Sequence, residues 1–133
     1  MMSEAEVQSR IMMEAAKYGI ILWRNNSGAG KFVDEETGNT SHVRFGLGNI
    51  SKQQNKKIKS SDLIGIMPIH GVPGRDVVGV FIAIEVKKEG WKYNPNDERE
   101  VAQKAYIDYV IARGGVAGFC ASVVDFIKVI GKA

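Results

Sequence analysis

The chain reads as an α/β fold: a small mixed β-sheet flanked by helices, one domain over residues 1–133. Three observations predict it. Two apolar runs of strand length, 62–67 and 81–87, lie close enough in sequence to pair as an extended hairpin. Stretches with helical spacing of apolar residues stand before and after that pair. A further apolar run, 116–121, follows the second of those helices, so strands and helices interleave.

Ser3 to Tyr18 forms the first helix. Ser3, with Glu6 three residues on, has the spacing of a capping box. Val7, Ile11, Ala15 and Tyr18 recur on one face, and Gly19 ends the helix. Ile20-Ile21-Leu22-Trp23 is the first strand, and the turn residues of Arg24 to Gly30 then break regular structure. Between residues 31 and 60 the pattern is weakest. Asp34 to Asn39 suggests the tip of a hairpin, and the basic stretch with Lys52, Lys56, Lys57 and Lys59 is either a loop or a short helix. Asp62 to Met67 is a strand, Pro68 to Gly79 a connection rich in proline and glycine, and Phe81 to Lys87 an antiparallel partner strand. A polar loop with Trp91, Tyr93 and Pro95 follows. Asp97 to Arg113 is a helix with Val101, Ala105, Ile107, Tyr109 and Val110 as apolar positions, stopped by Gly114-Gly115. Val116 to Ala121 is a strand, and Ser122, three residues before Asp125, caps a last helix through Ile130.

Apolar residues make up 44% of the chain and charged residues 25%, a globular balance with enough length to bury a core. The net charge of +3 permits a polyanionic partner without demanding one. A lone cysteine, Cys120, excludes an internal disulfide framework; set in an apolar run, it reads as a buried structural thiol rather than a nucleophile. His42 and His70 lie far apart in loop-like sequence, so both are expected in solvent and no zinc-type cluster is seen. No apolar stretch reaches the roughly 18 to 20 residues of a membrane span. Glu4 and Glu6 stand where a leader would be basic, then apolar. The expected compartment is a reducing cytoplasm.

The run Val80-Phe81-Ile82-Ala83-Ile84 ends in Glu85-Val86-Lys87. On a strand Glu85 and Lys87 share one face and Val86 takes the other. Charges closing a nearly uniform apolar strand are costly to bury unless something uses them. A carboxylate and an ammonium so placed can hold a divalent cation and a water beside a phosphate; the plainer alternative is a surface ion pair at a strand end. Asp62 opens the partner strand, so its carboxylate and that of Glu85 can meet where the strands diverge, as hard oxygen ligands of the kind magnesium takes. A role for Asp62 in merely terminating its strand is the competing explanation.

The order Asp62, then Glu85-x-Lys87, then a helix carrying Gln103 is joined by Glu4-x-x-Val7-Gln8, Arg24-Asn25-Asn26-Ser27-Gly28, Ser61-Asp62-Leu63-Ile64-Gly65 and Gly114-Gly115. Together they resemble the VRR-NUC branch (virus-type replication-repair nuclease domains) of the PD-(D/E)XK nuclease superfamily, over nearly the whole chain. Ser61 stands where the superfamily pattern has a proline. The resemblance implies a restriction-endonuclease-like core in a stand-alone domain of the kind found in phages, placed in a bacterial or infected-host cytoplasm. It implies Mg2+, with Mn2+ able to substitute, held by Asp62, Glu85 and the Val86 carbonyl. Glu4 is the implied fourth acidic group, binding directly or through water. Lys87 would position the attacking water or stabilise the developing negative charge, and Gln103 would orient Lys87 or the water. Gln8, one turn after Glu4, could orient it. The simpler alternatives are that Glu4 favours the positive helix end, that Glu6 is the capping partner, and that Gln103 is an exposed helix residue.

Arg24, Asn25 and Ser27 are either phosphate contacts through charge and turn amides or part of a glycine-rich turn. Lys52, Lys56, Lys57 and Lys59 either track a nucleic-acid backbone or form a solvated loop. Trp91 and Tyr93 either stack on a base or pack over the sheet edge. The function expected is a divalent-metal-dependent, structure-specific endodeoxyribonuclease. The resemblance implies a homodimer acting on branched DNA such as Holliday junctions, whose approximate two-fold symmetry an isologous dimer would match. The last helix, with Val123, Val124, Phe126, Ile127, Val129 and Ile130, is more apolar than one buried stripe requires; a dimer surface and burial within the monomer both account for that. Two other functions compete: a less selective nuclease acting on flaps or ends, and a nucleic-acid-binding module without turnover. Against the last stands the acidic set, since a pure binder gains from fewer acids beside phosphate.

Overall fold

The strand that ends in Glu85 and Val86 lies inside the sheet, which is why its apolar run is so nearly uniform. In the computed structural model, which describes residues 1–132, the strands are β1 (Ile21–Arg24), β2 (Gly28–Val33), β3 (Thr40–Phe45), β4 (Leu63–His70), β5 (Val77–Val86) and β6 (Val116–Cys120). The helices are α1 (Glu4–Ala16), α2 (Lys52–Lys57), α3 (Glu98–Ala112) and α4 (Val123–Val129). Four strands form one sheet in the order β1-β4-β5-β6, and β2 pairs with β3 as a separate ribbon. β4 is antiparallel to β1 and β5, while β6 runs parallel to β5, so the sheet is mixed as predicted.

Alternation along β5 sorts its side chains between two layers. Ile82, Ile84 and Val86 join Val7 and Ile11 of α1 and Phe126 of α4 in the larger core. Ala83 faces Tyr106, Ile107 and Val110 of α3 in the smaller one. Glu85 and Lys87 follow Ala83 in phase and therefore project beneath α3. Complete burial of side chains such as Phe126, Ile11 and Leu63 contributes about 1.5–3 kcal/mol each. Both expected serine N-caps form, the Ser3 hydroxyl accepting from the Glu6 N–H and the Ser122 hydroxyl from the Asp125 N–H, but Glu6 does not return the bond to the Ser3 N–H that a full capping box has.

Several expectations are corrected. The connection taken as Pro68 to Gly79 shrinks to residues 71–76, because β4 and β5 extend through it. Pro68 is tolerated in a strand because β1 pairs with β4 only as far as Ile66, leaving that edge open. Gly28 to Gly30 belong to β2 rather than to the turn; the ribbon is largely solvent-exposed, so no buried face marks it in the sequence. Its tip does fall at residues 34–39, and 52–57 is a short helix. On α3 the buried positions are Ala102, Gln103, Tyr106, Ile107 and Val110, whereas Val101 and Tyr109 are exposed. A count of aliphatic residues misplaces that face because it omits the polar Gln103, which is buried against β5.

Phe126 on α4 and Ile130 at its end are buried, and among the apolar residues of the helix only Val124 is exposed. Val129 presses so closely on Gly118 of β6 that an added Cβ there would come within 2.7 Å of it. Burial within the monomer thus accounts for most of that helix's apolarity. Cys120 is buried, and burial pushes its thiol pKa up. His42 and His70 are exposed, on β3 and β4 rather than in loops. Among the described residues, no helix is long and apolar enough to cross a membrane.

Candidate active site

The register of the β4–β5 hairpin sets Leu63 opposite Ile84 and so brings Asp62 beside Glu85. Each carboxylate is held by the other's strand: the Asp62 N–H donates to Glu85 Oε2 at 3.2 Å, and the Val86 N–H donates to Asp62 Oδ2 at 2.9 Å. The segment before Asp62 is braced from β1. The Asn25 N–H donates to the Asp62 carbonyl at 2.7 Å, and Asn25 Nδ2 donates to Ser60 Oγ and the Ser61 carbonyl. Ser61 is buried, with its hydroxyl donating to the Leu63 carbonyl at 2.8 Å.

From the other side α3 supplies Gln103. Its Nε2 donates to Glu85 Oε1 at 3.1 Å, and its Oε1 accepts from Lys87 Nζ at 2.8 Å. Glu85 is 5% exposed, Lys87 9% and Gln103 3%. Burial first, then the charge of Asp62 and a hydrogen bond with it, push the Glu85 carboxyl up to about 8, against the opposing pull of Lys87. The Lys87 ammonium lies 5.5 Å from the centre of the Trp91 ring and 5.7 Å from that of Phe119. Trp91 and Tyr93 both pack on Phe119, so of the two expectations for that pair the sheet-edge packing is the one observed. Phe119 sits opposite Glu85 on the parallel neighbour β6.

Asp62, Glu85 and Gln103 line a cavity of about 400 Å³, together with Asn25, Asn26 and Ser27. Arg44, Asn49, Asn55, Lys59 and Arg99 line the same cavity, with Arg99 one turn before Gln103 on α3. Arg44 hydrogen-bonds Asn49, whose Nδ2 donates to the carbonyls of Gly28 and Phe45 and so pins the base of the ribbon. Lys59 donates to Asn55 Oδ1 at 2.6 Å. Burial, reinforced by the charges of Arg99 and Arg44, lowers its pKa.

Of the residues singled out from sequence, Asp62, Glu85, Gln103, Asn25, Ser27 and Lys59 therefore meet at one cavity, with Lys87 behind Gln103. Glu4 does not join them. It is exposed at the start of α1, the helix packed on the other face of β5, and no group of three His, Cys, Asp or Glu side chains converges among the described residues. Arg24 is exposed on β1, and Lys52, Lys56 and Lys57 are exposed on α2; none lines the cavity. Arg44, Asn49, Asn55 and Arg99 were not foreseen. Arg99 had one legible signal: a cation in the first turn of a helix opposes the helix dipole, so it has to be there for another reason.

Two neighbouring carboxyl groups, one with its pKa driven up by burial and then by the other's charge, are a donor set whose repulsion a cation relieves. Magnesium takes one or two carboxylates and fills its octahedron with waters and substrate phosphates, so this pair fits without a third acid. Val86 contributes its N–H to holding Asp62; its carbonyl remains the donor that the resemblance implies. Compared with family models, with curated proteins and with solved structures, the chain finds no match in any of the three.

Proposed function

We propose that this protein is a divalent-metal-dependent endodeoxyribonuclease that hydrolyses phosphodiesters at Asp62, Glu85 and Lys87. The observation that carries the reading is the convergence of two carboxyls from adjacent strands with a buried ammonium linked to them through Gln103. A bound Mg2+, or Mn2+ in its place, would supply charge relief on the nonbridging phosphate oxygens and acidify a water. Asp62 and Glu85 hold and orient the ligand oxygens, each fixed by the other's strand. Lys87 sets a positive charge beside the site where negative charge develops. Gln103 fixes where that charge sits. The aromatic layer of Trp91 and Phe119 excludes water from the ammonium, which strengthens its field in the site.

The finer proposal is that the enzyme acts as a homodimer on branched DNA such as a four-way junction, whose approximate two-fold symmetry suits two equivalent sites. The test is cleavage of labelled four-way junction, flap and plain duplex DNA in magnesium, with and without EDTA, beside light scattering for oligomeric state. Paired symmetric nicks in the junction that vanish in EDTA and in Lys87→Ala support the full proposal. Cutting of flaps or ends alone replaces the branched substrate with the less selective activity. Band shifts with no cutting in magnesium or manganese overturn the nuclease reading and leave a binding module.

A further inference from the structure

We infer that Arg44, Lys59 and Arg99 form a phosphate-binding subsite in the cavity that Asp62 and Glu85 also line, where it takes a phosphodiester of the DNA strand next to the one at Asp62 and Glu85. The inference deepens the nuclease reading and rests on it for the identity of the strand. Three segments distant in sequence deliver these cations: β3 brings Arg44, the first turn of α3 brings Arg99, and Lys59 follows α2, its N–H donating to the Ala102 carbonyl of α3. All three line the same cavity as Asp62 and Glu85.

None of the three has a carboxylate partner. The salt bridges among the described residues are Lys17–Glu14 and Lys104–Asp108, both elsewhere. Arg44 Nε is buried with no hydrogen-bond partner, although its Nη2 is engaged by Asn49. A buried guanidinium N–H without an acceptor is costly, and like charges gathered around one cavity repel: burial first, then the charges of Arg99 and Arg44, lowers the pKa of Lys59. An anion in the cavity relieves that repulsion. Guanidinium groups match phosphate oxygens through paired N–H donors. Asn55, which holds Lys59 Nζ, gives that ammonium a fixed direction. The cavity thus holds both a carboxyl pair suited to a cation and a group of cations suited to phosphate, an arrangement that would draw a strand into it.

The test uses Arg99→Gln and Lys59→Gln, with Lys128→Gln, at an exposed position of α4, as a control for loss of a charge alone. Binding to duplex and four-way-junction DNA is followed by fluorescence anisotropy in EDTA across a salt series, so no turnover intervenes. Thermal unfolding verifies that each variant is folded. The expected result is a several-fold loss of affinity for each cavity variant and a fall of about 1 in the slope of log K against log salt. The control should leave both unchanged. Wild-type affinity and slope in both cavity variants would overturn the subsite while leaving cleavage by the wild type, and so the nuclease reading, intact. Conversely, a wild type that never cuts but loses binding in the variants supports the subsite and rejects the nuclease. Closed circular DNA separates the two sources of phosphate: a loss that persists on the circle supports an internal phosphodiester, and one confined to linear DNA with end phosphates overturns it.

Discussion

Gln103 stands between Lys87 and Glu85, accepting from the ammonium at 2.8 Å and donating to the carboxyl at 3.1 Å. The two charged groups are thereby coupled without forming an ion pair. Direct contact would neutralise both and hold the carboxyl firmly ionised; the interposed amide keeps the ammonium as a near neighbour and leaves the carboxyl free to answer to Asp62 or to a cation. Replacing Gln103 by Leu should leave a buried ammonium with one partner fewer, at a cost of about 1–3 kcal/mol in stability. Cleavage should fall well beyond that loss, since Lys87 is no longer aimed. Urea unfolding and single-turnover cleavage measure the two. A Gln103→Leu protein that cuts like the wild type would show that the relay has no part in the chemistry.

The raised Glu85 carboxyl makes the metal-free protein pH-sensitive. An ordinary glutamate ionises near 4.5, whereas this one does so near 8 in the folded chain. Between those values the folded state keeps a proton that the unfolded state releases. The contribution is thus fully present below pH 4.5, declines as pH rises, and is lost as it passes through 8. In EDTA the Tm should therefore fall across that window, and Glu85→Gln should flatten the fall. Magnesium should raise the Tm more at pH 8 than at pH 6, because binding must displace the proton. A Tm that is flat from pH 5 to pH 8 in EDTA would show that the carboxyl is not held protonated.

Lys87 is the group for which removal of charge separates most cleanly from loss of packing. Lys87→Met keeps an apolar stem against Trp91 and Phe119 and removes only the ammonium. Stability should fall by about 1–3 kcal/mol at most, the cost of leaving buried Gln103 Oε1 without its donor, whereas cleavage should fall by a factor of about 10² to 10³, the usual cost of deleting one charge-stabilising donor. Cleavage time courses beside thermal unfolding give both numbers. Activity retained within a few-fold would place the reacting phosphate elsewhere.

What was legible in the sequence follows from local rules. Glu85 and Lys87 could be assigned to one face because strand alternation needs no tertiary information, and Asp62 could be placed beside Glu85 because a hairpin sets its own register. Phe119 could not be foreseen, since its place opposite Glu85 depends on which strand β6 chooses as neighbour. Arg44 was invisible for a related reason: it lies on an exposed ribbon with no periodic apolar face, and only the pinning of that ribbon by Asn49 brings it to the cavity. Of the lysines at 52, 56, 57 and 59, the one after α2 turns inward and the helix carries the others outward, a distinction that a run of like charges does not encode.

Asn25 and Gly65 allow the support of Asp62 to be tested apart from the fold. Asn25 spends both its backbone N–H and its side-chain amide on residues 60–62, so Asn25→Ala removes the side-chain half of the brace, to Ser60 and Ser61, while keeping the backbone bond to Asp62. Gly65 lies against β1 so closely that any Cβ would collide with the Ile21 carbonyl. Gly65→Ala should force β1 away from β4 and cost about 1–3 kcal/mol or more, as overpacking does. The two variants should converge on activity and diverge on structure. Both should cut roughly tenfold or more slowly, because positional errors at a catalytic group are expensive. Only Gly65→Ala should lose hydrogen-exchange protection along residues 21–24 and 63–66. If Asn25→Ala retained full cleavage while Gly65→Ala lost it, Asp62 would depend on β1 as a whole rather than on the asparagine at its end.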